Sequence, residues 1–197
     1  DVSNNNGEFG GGMYYTGLSE LRLYKPTSQS RSFGTAALES IPDYPEWAPN
    51  NGTIQSAVSS NDADHVEVTL TDDVISPTSS PVRLSGFNFA IPAGKVVNRV
   101  VIELEGVYST TGDFGQLIIS GYDSTDAQIF SMAPTLRAGT QNMTVDSSVV
   151  LGAFVDNPTA AQINDAGFKV DIHANITGTG PFTFRINKIG SLKLYFV

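Results

Sequence analysis

Two histidines, twenty aspartates plus glutamates and no cysteine limit the chemistry this chain can perform. His173 stands two residues from Asp171 in the alternating run Phe168 to Ala174, so both project from one strand face. An imidazole beside a carboxylate begins a metal site or a general base, yet no third ligand is recognisable, and a solvated strand face is the expected reading. Asn61 to Asp64, Thr71 to Asp73 and Asp123 to Asp126 offer oxygen ligands of the kind calcium takes, without the spacing of a helix-loop-helix calcium loop. Such residues also make hydrogen-bonded turns without an ion, which is expected here; calcium shared between loops is the alternative, and no other cofactor is implied. Glu103 and Glu105 share a strand face with alpha carbons about 6 to 7 Å apart. Arg99 is expected to compensate them there, making the pair a wet strand face. With no Gly-x-Ser-x-Gly elbow and no cysteine nucleophile, no constellation of nucleophile, base and stabilising group can be assembled, and an enzyme is not expected.

The aromatic residues carry the binding chemistry. Tyr44, Trp47, Tyr108 and Phe114, with Asp113 beside the last, fall in loops or at loop edges, where rings can stack on the apolar faces of pyranoses. Trp47 lies within Ile41 to Pro49, whose three prolines exclude a helix or central strand, and it is expected to cap the sandwich edge. Sequons occur at Asn51, Asn142 and Asn175, and Lys169 or Lys193 could donate to an isopeptide crosslink.

The elements holding these residues are strands. Alternation or β-rich composition marks Met13–Tyr15, Leu18–Tyr24, Ile54–Ser59, His65–Leu70, Val82–Ile91, Val96–Leu104, Phe114–Tyr122, Gln128–Met132, Met143–Val150, Phe168–Ala174, Phe182–Ile186 and Ser191–Val197. One short helix is expected near residues 158–166, with Asn157 as cap, Pro158 in the first position and Gly167 as terminator. Many short strands without β-α-β alternation need two facing sheets, so the fold is expected to be an all-β, jelly-roll-like antiparallel β-sandwich. One domain over residues 13–197 suffices, preceded by a flexible arm of residues 1–12 whose only large apolar residues are Val2 and Phe9. The start at Asp1 without Met reads as processing, proteolysis or a boundary of the chain as prepared.

Eleven lysines plus arginines against twenty acids leave a net charge of −9, which opposes nucleic acid and anionic lipid as partners. No apolar run reaches the roughly 18 residues of a membrane-spanning helix. Only 16% of residues are charged, a balance suited to extracellular or virion surfaces.

Leu84 to Glu105 is the most patterned stretch. Phe87, Phe89 and Ile91 are expected on one face of a first strand, and a Pro92-Ala-Gly turn follows. In the second, Val96, Asn98, Val100, Ile102 and Leu104 are expected opposite Val97, Arg99, Val101, Glu103 and Glu105. Together with Trp47 to Gly52, Ser60 to Asp64, Ile163 to Val170 and Ile189 to Phe196, this cassette resembles a β-sandwich module of tailed-bacteriophage structural proteins and related surface proteins. Val149 to Phe154 stands where that pattern carries a Gly-Gly-x-x-x-Leu-Trp-Gly stretch.

The resemblance implies a head decoration, fibre or receptor-binding piece on a virion surface, partnered by other virion proteins and by copies of itself. Asp1, Val2 and Phe9 would then belong to an arm that orders on a neighbouring subunit. The alternatives are a carbohydrate-binding adhesin that takes a host glycan, located outside the cell or on its surface, and a secreted filament subunit.

Overall fold

The computed structural model describes residues 27–60, 62–71, 78–110, 115–149, 154, 157–178 and 180–197. They form β1 Thr27–Arg31, β2 Thr35–Leu38, β3 Ala48–Pro49, α1 Ile54–Ser59, β4 Val66–Leu70, β5 Val82–Ser85, β6 Val97–Ser109, β7 Gly115–Tyr122, β8 Gln128–Met132, β9 Gly139–Asp146, α2 Ala160–Asn164, β10 Lys169–Ile176, β11 Phe182–Ile186 and β12 Lys188–Phe196. The expected arm, the expected strands Met13–Tyr15 and Leu18–Tyr24, and the residues Asp1, Val2, Phe9, Asp113 and Phe114 lie outside the described residues.

All pairing among these strands is antiparallel. One sheet runs β1-β12-β6-β11-β4-β3, with β9 also on β6; the other runs β2-β5-β10-β7-β8. The 13-residue β6 is long enough to pair with β12 along its first part and with β11 at its end. Between the sheets lies one apolar core, to which β12 contributes Leu192, Leu194 and Phe196, β6 Val100, Ile102 and Leu104, and β10 Val170, Ile172, Ala174 and Ile176. The chain crosses between sheets from β1 to β2, β2 to β3, β4 to β5, β5 to β6, β6 to β7, β8 to β9, β9 to β10 and β10 to β11. This is the jelly-roll-like sandwich that strand alternation predicts, because each half-apolar strand needs a facing sheet.

Five expectations are corrected. Ile54–Ser59 is a helix rather than a strand: Thr53 caps it, with Ser56 N donating to Thr53 Oγ1 at 3.2 Å and Thr53 N donating to Ser56 Oγ at 2.9 Å. That reciprocal cap satisfies two otherwise orphaned donors, and burial of Ala57 and Val58 holds the turn in place. The second helix is capped by Thr159 rather than Asn157, for the same reason: Gln162 N reaches Thr159 Oγ1 at 3.3 Å and Thr159 N reaches Gln162 Oε1 at 3.0 Å. It also ends at Asn164, before Gly167.

The expected strand Val82–Ile91 stops at Ser85, because Gly86 (φ +72°) and Asn88 (φ +50°) turn through left-handed conformations. Phe87, Phe89 and Ile91 are nevertheless buried, and Phe87 and Phe89 pack on Phe168 with centroids 5.5 and 6.2 Å away. Side-chain amides replace a partner strand here. Gln29 Nε2 donates to Ala90 O at 2.7 Å while Ala90 N donates to Gln29 Oε1 at 3.1 Å, and Asn164 does the same for Ile91.

In β6 the predicted faces slip at the start. Val97 is buried and Asn98 exposed, where the register with β12 shifts between Tyr195 and Phe196. Farther along, Gly106 at φ +60° accompanies a shift against β9 that returns Val107 to the core.

Candidate functional site

The side chains of β10 that point away from the core are Lys169, Asp171, His173 and Asn175, alternating with the buried Val170, Ile172, Ala174 and Ile176. Register places Tyr122, Ser120, Ile118 and Gln116 of β7 beside them on one flank, and Ser85 and Arg83 of β5 on the other. A flat outer sheet face would leave such residues wet. Here Asp171 is only 3% exposed and Ser120 only 2%, so both are covered by neighbouring side chains.

The polar groups of this row are held by protein partners. Asp171 accepts from Arg83 Nε at 2.9 Å and Nη2 at 2.8 Å, a planar two-point pair, and Arg83 Nη1 also reaches Glu39 at 3.0 Å. Hydrogen bonding to Asp171 raises the Arg83 guanidinium above its usual range. Ser120 Oγ donates to Ser131 Oγ at 3.1 Å. Thr78 Oγ1 donates to Asn175 Oδ1 at 2.7 Å, leaving the amide nitrogen as the group that can serve a ligand. His173 Nδ1 lies 2.9 Å from Ser79 O; a carbonyl only accepts, so Nδ1 carries a proton and Nε2 is the ring nitrogen left for a ligand. The expected solvated Asp171 and His173 pair is thus corrected: burial and the Arg83 fork take the carboxylate out of solvent.

Tyr122, partly exposed, borders the strip opposite Lys169. At the His173 end, Ser79 is followed by Ser80, whose N donates to Pro45 O at 2.8 Å. The partly exposed Tyr44 precedes Pro45, so its loop edges the same strip. Trp47 is 1% exposed and within the core, as expected of a cap; no ring face is open to a ligand, and its indole anchors the loop carrying Tyr44. Tyr108 lies on the other sheet, with Arg185 5.1 Å from its centroid, and is not brought together with Tyr44. Sequence reasoning missed Tyr122, Arg83, Ser120 and Gln116. The outward phase of β7 and β5 could have named them, but only register shows that they flank β10.

Of the remaining candidates, Asn61, Asp72 and Asp73 lie outside the described residues. Asp123 Oδ1 accepts from Thr125 N, Thr125 Oγ1 and Ala127 N, and Oδ2 from Gln162 Nε2; the Thr125 hydroxyl chiefly holds this carboxyl below its usual range. Asp126 is lowered chiefly by its hydrogen bond from Lys169, and Asp62 by that from Ser60. These are turns built on carboxylates, and among the described residues no group of three or more His, Asp or Glu is placed to hold a metal. Glu105 accepts from Lys188 Nζ at 2.8 Å, whereas Arg99, expected to compensate it, is engaged by Asp146 across the strand pair. Lys169 meets Asp126 and Lys193 lies over Tyr195, so neither stands against an asparagine.

No protein-family model and no curated protein matches the sequence. Solved structures do resemble the fold. A chain of the arabinose-bound α-L-arabinofuranosidase MgGH51 aligns with 85% of this chain at 8% identity and a TM-score of 0.46, and this chain spans only 24% of it. The xylan-binding module CBM15 aligns over 88% of this chain and 98% of its own, at 12% identity and a TM-score of 0.43. The enzymatically active domain of tailspike protein 4 from bacteriophage CBA120 aligns over 80% of this chain and 19% of its own, at 8% identity and a TM-score of 0.38. Other carbohydrate-binding modules are among the similar structures. Likenesses this distant establish nothing about ligand or activity, which must be sought in the chain's own residues.

Proposed function

We propose that this chain is a carbohydrate-binding module that lays a neutral polysaccharide along the outer face of the five-stranded sheet. The observation that carries the reading is the polar row along β10, where the partly exposed His173 and Asn175 are fixed by protein partners before any ligand arrives, beside the buried Asp171 and Ser120. Donors and acceptors held in place lose little entropy on binding a flexible hydroxylated chain. Tyr122 supplies an amphipathic ring for a sugar face, and His173 Nε2 a hydrogen-bonding atom for a hydroxyl. Arg83 is offset by Asp171 and Glu39, and Lys169 by Asp126, so the strip carries no surplus cation to favour an acidic ligand.

The virion-assembly reading draws on Asp1, Val2 and Phe9, which lie outside the described residues, and on the family resemblance. Among the described residues the large apolar side chain left exposed is Val197, at 58%, which gives subunit packing no apolar patch to bury. Glycan binding therefore has the better physical support.

The test is titration calorimetry of the full chain against xylan, β-1,4-galactan and mixed-linkage β-glucan. Saturable binding to at least one, weakened tenfold or more by Tyr122→Ala and by His173→Ala at unchanged unfolding midpoint, is expected. Binding to none of a broad neutral-glycan array, or full affinity in both variants, would remove the proposal.

A further inference from the structure

The opposite outer face carries a second arrangement that the first site does not use. On the seven-stranded sheet, Tyr195 of β12 is paired in register with Arg99 of β6 and Ser28 of β1, and two residues earlier Lys193 is paired with Val101 and Ser30. The Arg99 guanidinium carbon lies 4.6 Å from the Tyr195 ring centroid, and Lys193 Nζ 4.9 Å from it. Both cations are drawn to the electron-rich ring. Their charges are disposed of differently. Arg99 is closed by Asp146, with Nε 3.0 Å from Oδ1, while Lys193 has no ion-pair partner among the described residues although the chain carries twenty acids.

Arg99 and Asp146 offset each other, so the Lys193 ammonium is the positive charge an anion would meet beside Tyr195, with Glu103 farther along the same face of β6. Hydroxyls stand beside it: Ser30 Oγ donates to Ser191 Oγ at 2.8 Å, next to Lys193. An ammonium with unspent hydrogen-bonding capacity, a ring at its flank and neighbouring hydroxyls suit one ligand chemistry, a hydroxylated ring bearing an anionic substituent.

We infer that Lys193, Tyr195, Ser30 and Ser191 form a second site for an acidic sugar, with Lys193 taking the carboxylate of a uronic acid or the sulfate of a sulfated sugar. This site lies on the other sheet from the neutral strip and does not rest on it. Binding there adds a second point of attachment on a mixed polysaccharide, raising avidity without enlarging either contact.

The test uses the full chain carrying Tyr122→Ala and His173→Ala, which silences the first strip, titrated by calorimetry with oligogalacturonate, a sulfated oligosaccharide and a neutral oligosaccharide of equal length. Binding of at least one acidic ligand is expected, weakening at least tenfold in Lys193→Gln and again with added salt, and falling further in Lys193→Glu. The neutral ligand should not compete, and whichever anion binds identifies the substituent. No binding of either acidic ligand, equal binding of the neutral one, or full affinity in Lys193→Gln at an unchanged unfolding midpoint overturns the inference. Because the first strip is silenced throughout, these outcomes stand apart from success or failure of the neutral-glycan reading.

Discussion

Asn164 closes a two-point ring on the main chain of Ile91, its Oδ1 accepting from Ile91 N at 2.8 Å and its Nδ2 donating to Ile91 O at 2.7 Å. A side chain from a five-residue helix thus does what a neighbouring strand would do, and Gln29 repeats the device one residue earlier at Ala90. These amides let the Phe87 to Ile91 segment bury its apolar residues without joining a sheet.

Asn164→Ala removes both partners of a buried peptide unit. We expect a loss of about 2 to 3 kcal/mol, read as a lower midpoint in urea unfolding with unchanged slope. Asn164→Asp keeps the acceptor but not the donor, and should be no better than alanine at neutral pH. A variant with wild-type stability would show that the segment does not depend on this ring.

Gly121 of β7 faces Phe130 of β8: a Cβ built there would lie 2.1 Å from Phe130 Cε1. Gly121→Ala should cost about 1 to 3 kcal/mol by overpacking. Gly121→Ala with Phe130→Leu should cost less than the sum of the two single changes, because the shorter side chain relieves the overlap. Strict additivity in thermal unfolding would contradict that packing.

Arg83 and Asp171 form the ion pair of the outward row on β10 and β5. Replacing Arg83 by Met leaves a buried carboxylate without its fork and should cost about 3 kcal/mol. Arg83→Lys, which supplies a point charge in place of a planar fork, should recover only part of it. The double change Arg83→Met, Asp171→Leu should be more stable than Arg83→Met alone; a chemical-unfolding cycle without coupling would sever the two residues energetically.

Asp146 is held at about 2, chiefly by the Arg99 hydrogen bond, against an ordinary 3.8. The folded value lies below the unfolded one, so the stabilisation is full above about pH 4 and is lost as pH falls towards 2. With the Arg99 side chain 39% exposed, screening reduces the contribution to about 1 to 2 kcal/mol. Asp146→Asn should flatten this part of the stability profile between pH 4 and 2, and an unchanged slope would show that another carboxylate governs it.

Alternation alone was enough to read the sandwich, because a strand with one apolar face must bury it whatever its partners: Gln128–Met132 and Phe182–Ile186 are strands with the boundaries their residues predict. It was not enough for Ile54–Ser59, where reciprocal capping by Thr53 and Ser56 outweighs β-composition, or for Phe87 to Ile91, where apolar periodicity continues but the backbone does not. Periodicity reports which side chains are buried, and several backbones can bury the same set.

Residue types and spacing also put His173 and Asp171 on one face and singled out Trp47 and Tyr44. Tertiary structure alone decided that Arg83, 88 residues from Asp171, neutralises it, that Tyr122 flanks His173's strand, and that Trp47 is an anchor within the core. Strand register, set by long-range main-chain hydrogen bonding, chooses which outward residues become neighbours, and no local pattern carries that information.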